Sequence, residues 1–445
     1  MTSTHRGSIS DVRVDLAGGR LNRDDGVMRN CCRRGAAVVI GVLAAALAAC
    51  SSGQGPSPTG SGSGGPPATS DASSEPPEEP AETDPTPSGE TGLVVVPDVE
   101  VEVADVATGL DAPWGLAGLP DGTLLVSLRD ERGLVVVDPD SGEIQDVGGP
   151  GADELRDETV TGGESGLLGV AVGPEGGDGA GEVFVYRTAA DGNEVLRGTL
   201  DGTGLSELDV VLDGIPAAQF HDGGRLAFGP DGFLYVATGD ATQDGTSQDP
   251  GSLGGKILRI TVDGEPAPDN PEPGSPVWSL GHRNVQGIAW DPTGRMLASE
   301  FGQNTWDELN VVEPGGNYGW PDVEGSGGQA DGFVDPVAIW GTDDASPSGL
   351  AATREGAYLA GLGGERLWRV PFASPDGGSS ADAFGEPQVV VEDLGRLRAV
   401  LVDPAVEQGE DGSSALYVLT NNTDGRGEPR SGDDRLVRVA ISPAS

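Results

Sequence analysis

Six times between residues 120 and 420 the sequence repeats one local pattern: a turn rich in Pro, Asp and Gly, then a short apolar strand. The copies are Pro120-Asp121-Gly122-Thr123 before LLVS, Gly173–Gly181 before VFVYR, and Gly229-Pro230-Asp231-Gly232 before FLYVATGD. Asp291-Pro292-Thr293-Gly294 before RMLASE, Arg354-Glu355-Gly356 before AYLAGL and Asp403–Ser414 before ALYVLTNN complete the set. Pro presets φ and Gly supplies positive φ, so each turn is tight. The aromatic and β-branched runs that follow, such as Phe233–Ala237, read as buried strands. Further short strands are expected at Leu134–Val137, Ile257–Ile260, Leu367–Val370 and Leu436–Ile441, and no amphipathic helix is expected among them. A spacing of about 50–63 residues suits a four-stranded blade with long loops. Six such units predict an all-β, six-bladed β-propeller; a pair of irregular β-sandwiches is the alternative.

The propeller is expected over residues 93–445, behind two segments of different character. Within 1–50, Arg29, Arg33 and Arg34 form a basic region ahead of the apolar run Gly35–Ala49, and Leu47-Ala48-Ala49-Cys50 reads as the lipobox of a bacterial lipoprotein signal. The run is shorter than the ~20 residues of a spanning helix. Cleavage would leave Cys50 lipidated and the protein tethered outside the cytoplasmic membrane by that anchor alone; Met28 offers a second candidate start. Residues 51–92, nearly all Ser, Gly, Pro, Thr, Glu and Asp, predict a disordered linker, because they hold too little apolar surface to offset ordering.

Acidic residues outnumber basic ones 72 to 26, for a formal net charge of −46, which excludes nucleic acid as a partner. The cysteines are Cys31, Cys32 and Cys50, so the body of the chain has no disulfide framework and no thiolate metal site.

A propeller binds ligands over its central channel, on loops contributed by successive blades. Candidate residues should therefore recur at similar blade positions. Glu164 lies in Thr161–Gly169, TGGESGLLG; His221, one of three histidines, opens His221-Asp222-Gly223-Gly224-Arg225. Arg283 and Asn284 lie in Gly281–Gly287, GHRNVQG, and Arg396 and Arg398 in Leu394-Gly395-Arg396-Leu397-Arg398. Scarce arginines at equivalent loop-to-strand points suggest an anionic ligand, since guanidinium pairs carboxylates in a bidentate way; surface ion pairs are the alternative. Glu300–Pro321, EFGQNTWDELNVVEPGGNYGWP, gathers Glu300, Asp307, Glu308, Tyr318 and the carbonyls around Gly302, hard oxygens that suit Ca²⁺ or form a solvated acidic loop.

Together these stretches resemble the soluble PQQ-dependent glucose/aldose sugar dehydrogenase family, over about Val103 to Val439. The likeness rests on GGESGLLGVAV, HDGGRLAFGPDGFLYVATGD, GHRNVQGIAWDPTGRMLASEFG, DELNVVEPGGNYGWP, ASPSGL, GERLWRV and GRLRAV. The resemblance implies a six-bladed propeller that oxidises a sugar at C1 with PQQ and Ca²⁺ and passes electrons to an external acceptor. It makes His221 the general base, since hydride departs easily only as the alcohol loses its proton. It makes Arg283 the group that stabilises charge on the quinone oxygen, with Asn284 beside the cofactor and Arg396 and Arg398 clamping its carboxylates. Metal ligands would be the carbonyls of Gly302 and Gln303, with Glu308 and Tyr318 in or near the shell. Two positions depart from the family pattern: Glu164 stands where PQQ-binding members carry glutamine, and Gly363 falls at about the place of a lysine. A non-catalytic carbohydrate- or protein-binding propeller is the alternative.

Overall fold

The computed structural model describes residues 99–373, 380–406 and 412–444. The signal segment, Cys50 and the linker lie outside the described residues. All described residues fall in one compact unit, Pro87–Ser445.

Twenty-four strands form six four-stranded antiparallel sheets, with the short strand Gly204–Leu205 added to one of them. From the channel outward, blade 1 runs Pro113–Gly118, Leu124–Leu128, Gly133–Val137 and Ile144–Asp146. Blades 2 to 5 follow in sequence from inner strands Leu167–Val172, Leu226–Phe228, Val285–Trp290 and Pro347–Ala352. Blade 6 takes Leu397–Val402, Ser414–Thr420 and Arg435–Pro443 from the end of the chain, and its outer strand, Val99–Thr108, from the beginning. That strand pairs antiparallel with the last one, Val103 opposite Val439, and closes the ring without leaving a long open edge.

Each repeated sequence pattern proves to be the first turn of a blade together with its second strand. Those strands are buried on both faces, which is why they read as unbroken apolar runs. Along Leu234–Ala237 the side chains alternate. Leu234 and Val236 pack toward blade 2, and Tyr235 and Ala237 toward blade 4. The core accordingly consists of six clusters, each between two neighbouring blades.

The inner strands touch around the channel, and the sequence permits this by one recurring choice. Leu116, Val170, Leu226, Ile288, Leu350 and Val400 occupy one register position, opposite Val126, Val185, Val236, Ala298, Leu359 and Val418. The residue before each is Gly115, Gly169, Arg225, Gly287, Gly349 or Ala399. A β carbon on Gly169 would lie 2.1 Å from the Gly224 carbonyl oxygen, and one on Gly287 2.4 Å from that of Ser348. Blade-to-blade contact therefore excludes a side chain at those points. Blade 3 alone carries a long side chain there.

One helix departs from the sequence expectation: Pro150–Glu158, between blades 1 and 2, buries Ala152 and Leu155. Its nine residues are too few to show a clear apolar period.

Gly287→Val is expected to cost about 1–3 kcal/mol through overpacking, read from the urea midpoint. An unchanged midpoint would show that the inner strands can separate without penalty.

Candidate active site

All the candidate side chains stand at the same end of the inner strands, because that is where each blade's preceding loop enters the channel. Blade 2 presents Glu164, blade 3 His221, blade 4 Arg283 and Asn284, and blade 6 Arg396 and Arg398.

His221 is held from three sides. Its backbone has φ +65°, a left-handed conformation that a residue with a side chain rarely adopts. The Glu164 carboxylate accepts its N–H at 2.9 Å, and its carbonyl accepts the Ala241 N–H. The ring's Nδ1 lies 2.7 Å from Oδ1 of Asp240, whose other oxygen accepts the Trp320 indole N–H at 2.8 Å. Arg283 Nη2 can only donate, and it lies 2.8 Å from Nε2, which assigns the ring proton to Nδ1, toward the buried Asp240. Nε2 keeps its lone pair and accepts from Arg283. The imidazole is thus fixed in one tautomer, with its unprotonated nitrogen against a guanidinium.

Glu300, placed by sequence among metal-loop oxygens, does a different job. One oxygen lies 2.8 Å from His282 Nδ1, and the other accepts the Arg283 backbone N–H. It fixes the turn that aims Arg283. Asn284 is likewise committed: its Oδ1 accepts the Gly223 N–H at 3.0 Å, and its amide lies 3.5 Å from Glu164. Glu164 also pairs with the half-exposed Arg426 at 3.3 Å.

Asp424 sits between the blade 6 arginines, 3.1 Å from Arg396 Nη2 and 3.8 Å from Arg398 Nη2. Burial would raise its carboxyl, but the two guanidinium groups outweigh this and hold it below the usual range. Arg398 is pushed down to about 9 by burial. Arg396 also donates to the Leu362 carbonyl, so Gly363, the place of the family lysine, adjoins this arginine pair. A cleft of about 510 Å³ opens between Arg129, Gly163, Phe220, Asp424 and Arg426.

The Nε atoms of Arg283, Arg396 and Arg398 are buried and have no hydrogen-bond partner. Buried donors without acceptors are costly. Three such donors, on blades 4 and 6 at the same end of the ring, are the kind of group a polyanion such as PQQ would satisfy.

The metal-loop candidates divide. Glu324 Oε1 accepts the N–H groups of Gln303, Asn304, Thr305 and Trp306 at 2.6, 3.0, 3.1 and 3.2 Å. Across a trans peptide the N–H of one residue opposes the carbonyl of the residue before it. Holding the first two N–H groups therefore turns the carbonyls of Gly302 and Gln303 away from Glu324, as a cation would require. The Glu308 oxygens instead take the Gly325 N–H at 2.7 Å and the Asn310 amide at 3.0 Å; burial, then Glu300, raises its carboxyl. Tyr318 lines one small cavity with Gly302, Glu308 and Glu324; its hydroxyl donates to the Val311 carbonyl at 2.6 Å and its ring stacks on His282. Among the described residues no group of three or more His, Cys, Asp or Glu side chains could hold a metal. The two carbonyls fit Ca²⁺ only as part of a set completed by cofactor and solvent, since it takes six to eight oxygens.

Sequence reasoning assigned no role to Asp240, Glu324 or Gln286. Asp240 ends the quoted stretch VATGD and Gln286 lies inside GHRNVQG, but nothing in their spacing says which neighbour they meet.

The sequence matches the family model described as glucose/sorbosone dehydrogenase over residues 110–437. The PQQ-bound aldose sugar dehydrogenase of Streptomyces coelicolor is 49% identical with a TM-score of 0.70, the match covering 77% of this chain and 98% of that one. The aldose sugar dehydrogenase of Escherichia coli is 33% identical across 57% of this chain and 73% of its own. Quinoprotein glucose dehydrogenase B of Acinetobacter calcoaceticus is 30% identical across 49% of this chain and 52% of its own, about half its length.

Glu324→Ala is expected to speed amide exchange at Gln303–Trp306 by more than about tenfold, read by hydrogen–deuterium exchange. Unchanged exchange would remove Glu324 as the clamp of this loop.

Proposed function

The chain belongs to the glucose/sorbosone dehydrogenase family, and from that premise we propose that it oxidises an aldose or related sugar at C1 with PQQ as the electron acceptor. The observation that carries this reading is the Asp240–His221–Arg283 chain, set beside buried arginine donors that lack acceptors.

PQQ, when bound, accepts the hydride from C1 at its quinone, and a neighbouring Ca²⁺ would polarise that quinone as a Lewis acid. The chain's own residues do the rest. His221 Nε2 takes the proton of the C1 hydroxyl while Asp240 holds Nδ1–H and stabilises the imidazolium that forms. Arg283 now fills the Nε2 lone pair, so substrate must displace that contact; the freed guanidinium then faces developing negative charge. Arg396 and Arg398 hold carboxylates and fix the cofactor's direction in the channel. Glu164, although an anion, favours the site by holding the strained His221 backbone. It also pairs with Arg426. The carbonyls of Gly302 and Gln303 would contribute to a Ca²⁺ shell. Loss of one carbon-bound hydride and one hydroxyl proton leaves a lactone, and an external acceptor must reoxidise the cofactor.

We assign the protein to the outer side of the cytoplasmic membrane, anchored through lipidated Cys50; the support is the sequence alone. Cys50→Ala should move it from the membrane to the soluble fraction on cell fractionation, and unchanged membrane association would contradict the anchor.

Reconstitution with PQQ and Ca²⁺, followed by dye reduction across a panel of aldoses, tests the activity. His221→Ala is expected to lower kcat by about 10²–10⁴-fold, with Asp240→Asn intermediate. Turnover unaffected by His221→Ala would overturn its role as base. Failure of the wild type to take up PQQ would favour the non-catalytic binding propeller.

A further inference from the structure

Arg225 breaks the pattern of the inner strands. Its position is Gly in four blades and Ala in the fifth, and the side chain is buried at 8% exposure. The residue one place earlier in each blade is Trp114, Leu168, Gly224, Gln286, Ser348 or Arg398. Contacts tie four of these positions together, those of blades 1, 4, 5 and 6. Gln286 Oε1 accepts from Ser348 Oγ at 3.0 Å and from Arg398 Nη1 at 2.9 Å. Only blade 3 offers no side chain there, and a β carbon on Gly224 would lie 2.7 Å from Leu168. The guanidinium of Arg225 reaches into the same level. It stacks on Trp114 of blade 1 at 4.3 Å and donates through Nε to the Gln286 carbonyl at 2.7 Å. Arg398 lies over the same indole at 5.7 Å.

Two guanidinium groups therefore share one buried level, held by a neutral amide, a hydroxyl and an indole. Arg225 Nη2 and Arg398 Nε are buried and unpartnered. Arg398 has Asp424 at 3.8 Å as a distant counter-ion, whereas among the described residues no carboxylate lies within ion-pair distance of Arg225. Buried charges are paired, and an unpaired guanidinium with a free N–H sets out the requirements of its missing partner. A small planar anion would supply both the missing acceptor and the missing counter-charge.

We propose that Arg225 and Arg398 form a carboxylate seat inside the channel, one level below the His221–Arg283 pair. Resting on the function proposed above, its occupant in the working enzyme is a carboxylate of the cofactor, and Arg225 is a further cofactor-binding residue. It supplies from blade 3 a cation that the glycine at 363 does not. Without cofactor, the seat takes a small free carboxylate.

Formate is the probe, used on the full chain without cofactor and followed by tryptophan fluorescence, since Trp114 stacks on the seat. Wild type is expected to show a saturable change with formate and none with a bulky sulfonate at matched ionic strength. Arg225→Lys, which keeps the charge but loses the planar fork, should weaken formate and PQQ binding by about tenfold or more. Arg225→Met should abolish the formate response. Should Arg225→Met fail to fold, competition in the wild type decides: formate must raise the apparent Kd of PQQ. Formate binding in a wild type that takes up no PQQ would leave the seat standing and remove the proposed function. A wild type with no formate response, and PQQ affinity equal in Arg225→Lys, would show the level to be filled by water and overturn the seat.

Discussion

The structure depends on how closely the inner strands of neighbouring blades approach one another. Gly115, Gly169, Gly287 and Gly349 allow backbone of one blade to touch backbone of the next. Six interblade clusters then bury the second strands on both faces. The channel this leaves is narrow enough for a side chain on blade 3 to reach an indole on blade 1. Everything polar in the channel follows from that dimension, because groups far apart in sequence meet where little water can screen them.

Charge in this channel is arranged with an economy that the overall composition hides. The chain carries a formal charge of −46, yet its channel concentrates arginines. Each carboxylate there has a structural task. Asp240 orients an imidazole, Glu300 fixes the turn of Arg283, and Glu164 holds the His221 backbone. Asp424 separates two guanidinium groups that would otherwise repel. The buried arginine donors that remain without acceptors favour an anionic cofactor over a cationic one. At one departure from the family pattern, Glu164 pairs with Arg426, a residue from another blade.

Much of this was legible in the sequence. The six turn-and-strand patterns located the first turn and second strand of each blade, since doubly buried strands leave long apolar runs. His221, Arg283, Arg396 and Arg398 could be singled out because they recur at loop-to-strand points. Partners were not legible. Glu300 stands beside Asp307 and Glu308 in sequence and looked like a metal-loop oxygen, but strand pairing turns it toward His282 and Arg283. Glu324 lies outside Glu300–Pro321 entirely, and only folding brings it under the amides of 303–306. Arg225 was visible as an arginine, but its exceptional position appears only once strand register aligns the six inner strands.

The central claim is that a ring of blades gathers an imidazole and several guanidinium groups around one anionic quinone. The most direct measurement is a crystal structure of the protein soaked with PQQ and Ca²⁺. The account predicts density for one cofactor in the channel, its quinone beside His221 and Arg283 and its carboxylates against Arg396 and Arg398. Cofactor bound away from these residues, or an empty channel at saturating PQQ, would contradict it.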